Sequence, residues 1–155
     1  MIPTIDQLDA KILGILQADG KISNLKLAEK ISLAPTSTLD KVKKLELQGF
    51  IQSYHAKLNP TKLSLQVNIW LQIFLNALTK ENIKIFQQAI QKLPEVTSCY
   101  HVMGNADFLL NVFTTDMTAY QNLLICKLST IPVIKSIQAM TVLSTSKDHG
   151  LPILT

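Results

Sequence analysis

Residues 23–49 read SNLKLAEKISLAPTSTLDKVKKLELQG, and their pattern decides the fold of the first third of the chain. Ser23 carries a hydroxyl suited to capping a helix, and Leu25, Ala28 and Ile31 follow at the spacing of one helical face. Ser32, Leu33 and Ala34 then interrupt the pattern. Pro35 stands where proline is favoured, at a first helical position, because the missing N–H would be unpaired there anyway. Leu39, Val42 and Leu45 form the inner stripe of a second helix, and Gly49 ends it. A short helix, a tight turn and a longer helix make a helix-turn-helix.

Working outward, Asp6 caps an earlier helix whose apolar stripe is Leu8, Ile12, Ile15 and Leu16, and Gly20 stops it. Downstream the period changes from helical to alternating. Val67, Ile69, Leu71, Ile73 and Leu75 alternate with Asn68, Trp70, Gln72 and Phe74, which is a strand. Thr79 caps a helix carrying Ile83, Phe86, Ile90 and Leu93. Strands are expected over 95–103 and 108–115, joined by a turn at Gly104-Asn105. Asp116 caps a second helix with Tyr120, Leu123, Leu124 and Leu128, and 134–144 is the last strand. The order βαββαβ is the ferredoxin-like pattern. The expected fold class is α+β. A (winged) helix-turn-helix domain occupies residues 1–60, with an extended linker around Tyr54, Ala56 and Leu58. A ferredoxin-like βαββαβ domain occupies 61–155, with the boundary at Pro60.

Only 17% of the 155 residues are charged while 47% are hydrophobic, against a usual charged share of about 25%. Two small domains expose much of their surface, so part of that apolar surface is expected to be buried in an oligomer. The net charge of +4 permits a polyanion partner. All 15 basic residues are lysines, which neutralise phosphates as point charges but lack the planar fork with which arginine reads guanine. Cys99 and Cys126 lack metal-ligand spacing and read as two buried thiols of a reduced compartment. Asp6, Asp9, Lys11 and Asp19 are foreign to a signal peptide, and the apolar run Val67–Leu75 is too short to span a bilayer. The expected location is the cytoplasm, with no membrane partner.

The N-terminal end of the second helix of such a motif enters the major groove of double-stranded DNA. Thr36, Ser37 and Thr38 occupy that end, and their hydroxyls suit base edges or phosphates. Lys41 follows one turn later, with Lys44 at i+3 and Lys43 beside them. The alternative is a three-helix core with a solvated lysine face.

The run Leu33–Ile51, the opening Asp6–Leu13 and the segment Gly20–Asn24 resemble the leucine-responsive/asparagine-responsive regulators, the Lrp/AsnC family. The likeness continues through Pro94-Glu95-Val96, Gly104–Leu110 and Asp116-Met117 to Leu151-Pro152-Ile153, nearly the whole chain in order. Two features depart from the family's habit. Ala34 stands where a serine usually precedes the helix proline, and Lys41, Lys43 and Lys44 stand where arginines are usual.

The resemblance implies that the second domain senses an amino acid and assembles oligomers, with a homodimer as minimal unit and a tetramer or octamer beyond it. By position it implies one wall of the effector site at Met103, Gly104, Asn105 and Asp107. Another wall, at Met140 and Thr141, would be completed by a neighbouring subunit. The chemistry suits the task. Gly104 permits a tight turn, Asp107 offers an anion to an α-ammonium group, and turn N–H groups can receive a carboxylate. Methionines give an adaptable apolar lining that favours leucine or methionine, with Met103 and Met140 expected near enough in the sheet to hold a side chain. Without the resemblance, Gly104-Asn105 reads as a plain hairpin turn and Asp107 as a solvated residue.

No catalytic residue, metal or cofactor is expected. His55, His101 and His149 share no ligand spacing, and Cys99 with His101 lacks a third group for nucleophilic chemistry. The functional expectation is a sequence-specific transcriptional regulator that responds to an amino acid. The alternative is an effector-independent nucleoid-organising protein.

Overall fold

A computed structural model of the chain describes residues 5–147 and 150–153. Two compact units emerge. One comprises the described residues up to Lys57 together with those from Lys147 onward, and the other spans Leu58–Ser146.

In the first unit, α1 (Gln7–Ala18), α2 (Asn24–Ile31) and α3 (Pro35–Leu47) enclose Ile12, Leu27, Ile31 and Leu45. Asp6 caps α1 through a complete capping box: it accepts from the Asp9 N–H, and the Asp9 carboxylate accepts from the Asp6 N–H. Ser23 caps α2. Two residues in these helices lie elsewhere than their periodicity suggests. Leu25 is 59% exposed, and Leu27 takes the inward place beside Ala28 and Ile31. Leu39 is 42% exposed, and Thr38 lies inside in its stead. In helices this short, two adjacent stripes compete, and contact with the neighbouring helices selects one.

No strand forms in residues 51–59, where a wing or linker strand was expected. Tyr54 instead donates its hydroxyl to Glu46 Oε1 at 2.9 Å, which ties the stretch to the end of α3. The C-terminal residues, assigned from sequence to the second domain, group with the first. Leu151, Pro152 and Ile153 line a cavity of about 630 Å3 together with Leu13, Leu16 and Phe50. Ile153 supplies the reason: it is half-buried and its side chain reaches Gly14 of α1, whereas Leu151 and Pro152 stay exposed.

The second unit is a single sheet with helices on one face. β1 (Val67–Leu75), β2 (Val96–His101), β3 (Phe108–Thr114) and β4 (Ile134–Thr141) are arranged β2-β3-β1-β4, with every neighbouring pair antiparallel. β1 has the expected bounds; β2 and β4 stop short of Met103 and Ser144. α4 (Lys80–Ile90) and α5 (Met117–Asn122), the latter continuing as a π-helical stretch over Leu123–Leu128, cover the face formed by Ile69, Leu71, Ile73, Phe108, Leu110 and Val112. The other face carries Trp70, Phe74, Leu109, Phe113 and Met140 by alternation. Trp70 stacks on Tyr100 there, with ring centroids 6.4 Å apart.

Candidate nucleic-acid interface and ligand loop

The turn before α3 is built without a side-chain cap. Ser32 adopts a left-handed conformation at φ 57°, and Ala34 occupies the cap position with no side-chain acceptor. Asn24 compensates across the turn, donating from Nδ2 to the Pro35 carbonyl at 2.8 Å. This bond fixes the start of α3 relative to α2.

The six residues expected to meet DNA divide into two groups. Thr36, Ser37, Lys43 and Lys44 are exposed on α3. Thr38 is fully buried, and its hydroxyl donates to the Ala34 carbonyl at 3.0 Å, so it cannot reach a base edge. Lys41 does not point outward either. Its ammonium lies 2.7 Å from Asp9 Oδ1 and 3.0 Å from Asp6 Oδ2, and 27% of its side chain is exposed. The two carboxylates at the head of α1 attract it more strongly than solvent does, because Asp9 is buried and needs a counter-charge. The bond to Asp9, then that to Asp6, raises the Lys41 pKa above its ordinary value. The Asp9 N–H, followed by the Lys41 ammonium, lowers that of Asp6. The seven-residue interval between Thr38 and Leu45 marks the true inner stripe. It was visible in the sequence but overshadowed by the more apolar Leu39.

With Thr38 and Leu45 inward, the outermost line of α3 runs through Thr36, Asp40, Lys43 and Leu47. Asp40 and Leu47, the latter 89% exposed, did not figure among the sequence candidates.

In the second unit the β2–β3 connection is a projecting loop. Gly104 sits at φ 146°, a conformation that disfavours side chains, and Met103 and Asn105 are exposed. Asp107 is not a solvated turn residue. Its Oδ2 accepts from the Leu75 N–H at 2.7 Å, and its own N–H donates to the Ile73 carbonyl at 3.0 Å. The loop is thereby fastened to the end of β1.

Met140 and Thr141 lie elsewhere on the sheet. Phe108, next to the loop, pairs with Ile73, whereas Met140 pairs with Trp70 and Thr141 with Ile69. That offset amounts to about 10 Å along β1, with β4 on the far side of β1 from β3. The expectation that Met103 and Met140 stand close together in one sheet is therefore corrected: the register opposes Met140 to the middle of β1 and the β2–β3 loop to its end, two strands away.

The remaining polar candidates have local roles. His55 pairs with Ser53 at 2.7 Å, and His101 stacks on Phe108; His149 lies outside the described residues. Cys99 and Cys126 are free and exposed rather than buried, as β2 is an edge strand and Cys126 lies on the outer side of its helix. Among the described residues no three His, Cys, Asp or Glu side chains gather as a metal site, and no helix is long and apolar enough to cross a membrane.

Comparison with known proteins places both units. Residues 5–52 match the winged helix-turn-helix DNA-binding model, and residues 69–152 match the Lrp/AsnC ligand binding domain. The chain is 38% identical over 146 residues to the leucine-responsive regulatory protein of Klebsiella pneumoniae, covering 94% of this chain and 89% of that protein. A transcriptional regulator of Neisseria meningitidis, solved as a complex with L-methionine, superposes with a TM-score of 0.92 at 32% identity, over 96% of this chain and 97% of that one. An AsnC family transcriptional regulator of Agrobacterium tumefaciens gives 0.88 at 30% identity over the same shares. The βαββαβ sheet, the helix-turn-helix and these matches along nearly the whole chain agree: the chain belongs to the Lrp/AsnC family of transcriptional regulators.

Proposed function

We propose that this regulator binds double-stranded DNA through the exposed face of α3, using Thr36, Ser37, Lys43 and Lys44, and that a free amino acid bound by the ligand domain modulates that binding. The observation that carries the reading is the division of α3. Its inner face is committed to Thr38, Lys41 and Leu45, while Thr36, Ser37, Lys43 and Lys44 have no protein partner among the described residues. Lysines free of carboxylate partners on a protruding helix suit phosphates.

The effector favoured is leucine or methionine. Support comes from the loop around Met103 and Gly104, the oxygen of Asp107 left over from its bond to Leu75, and the methionine complex of the Neisseria relative. Within one subunit Met140 and Thr141 are remote from that loop, so a site that uses both walls draws them from two subunits. A homodimer, extending to a tetramer or octamer, supplies the second wall. The uncovered sheet face bearing Trp70, Phe74 and Phe113 suits such an assembly, since one-sided sheets bury their apolar face against something.

The reading is tested by titrating the purified protein with each of the twenty amino acids in a calorimeter, then repeating a DNA gel shift with the one that binds. Heat from leucine or methionine and an altered shift are expected. DNA binding without any heat would instead favour an effector-independent nucleoid-organising role. Sedimentation of a monomer at micromolar concentration would refute the shared site.

A further inference from the structure

Asp40 is the sixth residue of α3 and lies on its outermost line, between Thr36 and Lys43. It is exposed, and among the described residues its carboxylate accepts no hydrogen bond and forms no ion pair. Its neighbour Lys41 is turned away to Asp6 and Asp9. Lys43 and Lys44, at i+3 and i+4, stand close enough to flank it but do not bond it. A bare carboxylate thus sits at the centre of the surface that the proposed function turns toward DNA.

That placement is costly unless a donor receives the carboxylate. Duplex DNA carries about one negative charge per 1.7 Å of its axis, so an anion aimed at it is repelled. In the major groove the only donors are the N4 amino group of cytosine and the N6 amino group of adenine. Adenine presents its N7 acceptor beside N6, which calls for a side chain that both accepts and donates. An ionised carboxylate only accepts. Guanine offers two acceptors, O6 and N7, and repels it outright. Cytosine is the base whose edge meets an acceptor-only group without an opposing lone pair. The short aspartate side chain requires a close approach of the helix, and recognition helices approach most closely in their N-terminal half, where Asp40 lies.

We infer that Asp40 is a specificity-determining residue whose carboxylate accepts a hydrogen bond from a cytosine N4 amino group, selecting a C·G pair at one position of each half-site. This rests on α3 facing DNA as proposed above. Lys43 and Lys44 offset the repulsion by holding phosphates on either side, and Asp40 supplies the discrimination that lysines cannot.

The test is selection from a randomised duplex library with the full-length wild type and the variants Asp40→Ala, Asp40→Asn, Lys43→Ala and Lys44→Ala, each checked for helix content by circular dichroism. The wild-type motif is expected to hold a cytosine that becomes degenerate in Asp40→Ala while the other positions persist. Replacing that cytosine by thymine should weaken the wild type about tenfold and Asp40→Ala less than about twofold. Asp40→Asn should shift the preference to adenine, because an amide both accepts and donates. That positive change would not arise from a residue that merely repels DNA. An unchanged motif in both Asp40 variants, with weakened lysine variants, overturns the Asp40 assignment alone, as does uniformly tighter binding by Asp40→Ala with the same motif. Lysine variants that bind as the wild type does overturn the placement of α3 on DNA, and the Asp40 assignment with it.

Discussion

Lys41 Nζ lies 2.7 Å from Asp9 Oδ1, joining the middle of α3 to the first turn of α1. The contact spans two helices that share little other polar contact, so it acts as a strut for the recognition helix. Lys41→Met keeps the aliphatic stem but leaves the buried Asp9 without its counter-charge. The expected loss of stability is about 1–2 kcal/mol, modest because part of the pair is solvated. Urea denaturation checks it. The salt dependence of DNA affinity separates the strut from a phosphate contact. Lys43→Ala and Lys44→Ala should each lower the logarithmic slope by about one unit, and Lys41→Met should leave it unchanged. A slope reduced by one in Lys41→Met would show that its ammonium leaves the aspartates for DNA.

The same cluster gives the helix-turn-helix unit two pH limits. The Asp6 pKa is lowered from 3.8, so its contribution is present above that value and is lost as pH falls through the lower folded value. The Lys41 pKa is raised from 10.5, so its contribution is present below that value and is lost as pH rises through the higher folded one. Burial, followed by the bond to Glu46, pushes the Tyr54 phenol up to about 12, and its contribution fades over the same alkaline range. Thermal denaturation across pH should show a plateau with acid and alkaline losses. Lys41→Met should reduce the alkaline loss and only diminish the acid one, because the Asp9 N–H still holds the Asp6 carboxyl low, and Tyr54→Phe should reduce only the alkaline limb.

Ala34→Ser should stabilise the unit. Ala34 has the extended φ and ψ of a helix cap, −63° and 143°, but no oxygen to offer the N–H groups of the first turn. It is exposed, so the hydroxyl meets no obstruction. A gain of about 0.5–2 kcal/mol is expected, read as a higher melting temperature. No gain would mean that the bond from Asn24 to Pro35 already sets the helix start.

Asp107 has two roles that different substitutions separate. Asp107→Ala removes the acceptor of the buried Leu75 N–H and should destabilise the ligand domain by about 1–3 kcal/mol. Asp107→Asn keeps an acceptor for that N–H but removes the charge offered to an α-ammonium group. It should fold nearly as the wild type does yet bind the amino acid roughly tenfold to a hundredfold more weakly. Thermal shift with and without leucine or methionine distinguishes the two. An Asp107→Asn variant that gains the same stabilisation from ligand as the wild type would leave Asp107 as a loop fastener only.

Local chemistry was legible wherever it acts within a few residues. Asp6, Ser23, Thr79 and Asp116 each cap the helix that follows, as their side chains and positions imply. The alternation in Val67–Leu75 marks β1 to the residue, and the order of periods implies the ferredoxin-like sheet. The capless Ala34 was equally plain, since no distant residue alters what an alanine lacks. Tertiary structure decided whatever depends on a partner far away in sequence. Lys41 reads as one outward lysine among three until α1 brings two carboxylates to it from 32 and 35 positions upstream. Leu25 and Leu27 compete for one inward place, and only the packing of α2 against its neighbours chooses Leu27. Asp107 reads as a turn anion until the pairing of β1 with β3 presents the Leu75 N–H. Met103 and Met140 read as lining one site until strand register and the order β2-β3-β1-β4 set Met140 at mid-sheet, away from the β2–β3 loop. Periodicity and capping are short-range and written in adjacent residues, whereas register and ion pairing are settled when separate elements compete to bury apolar surface and satisfy charge.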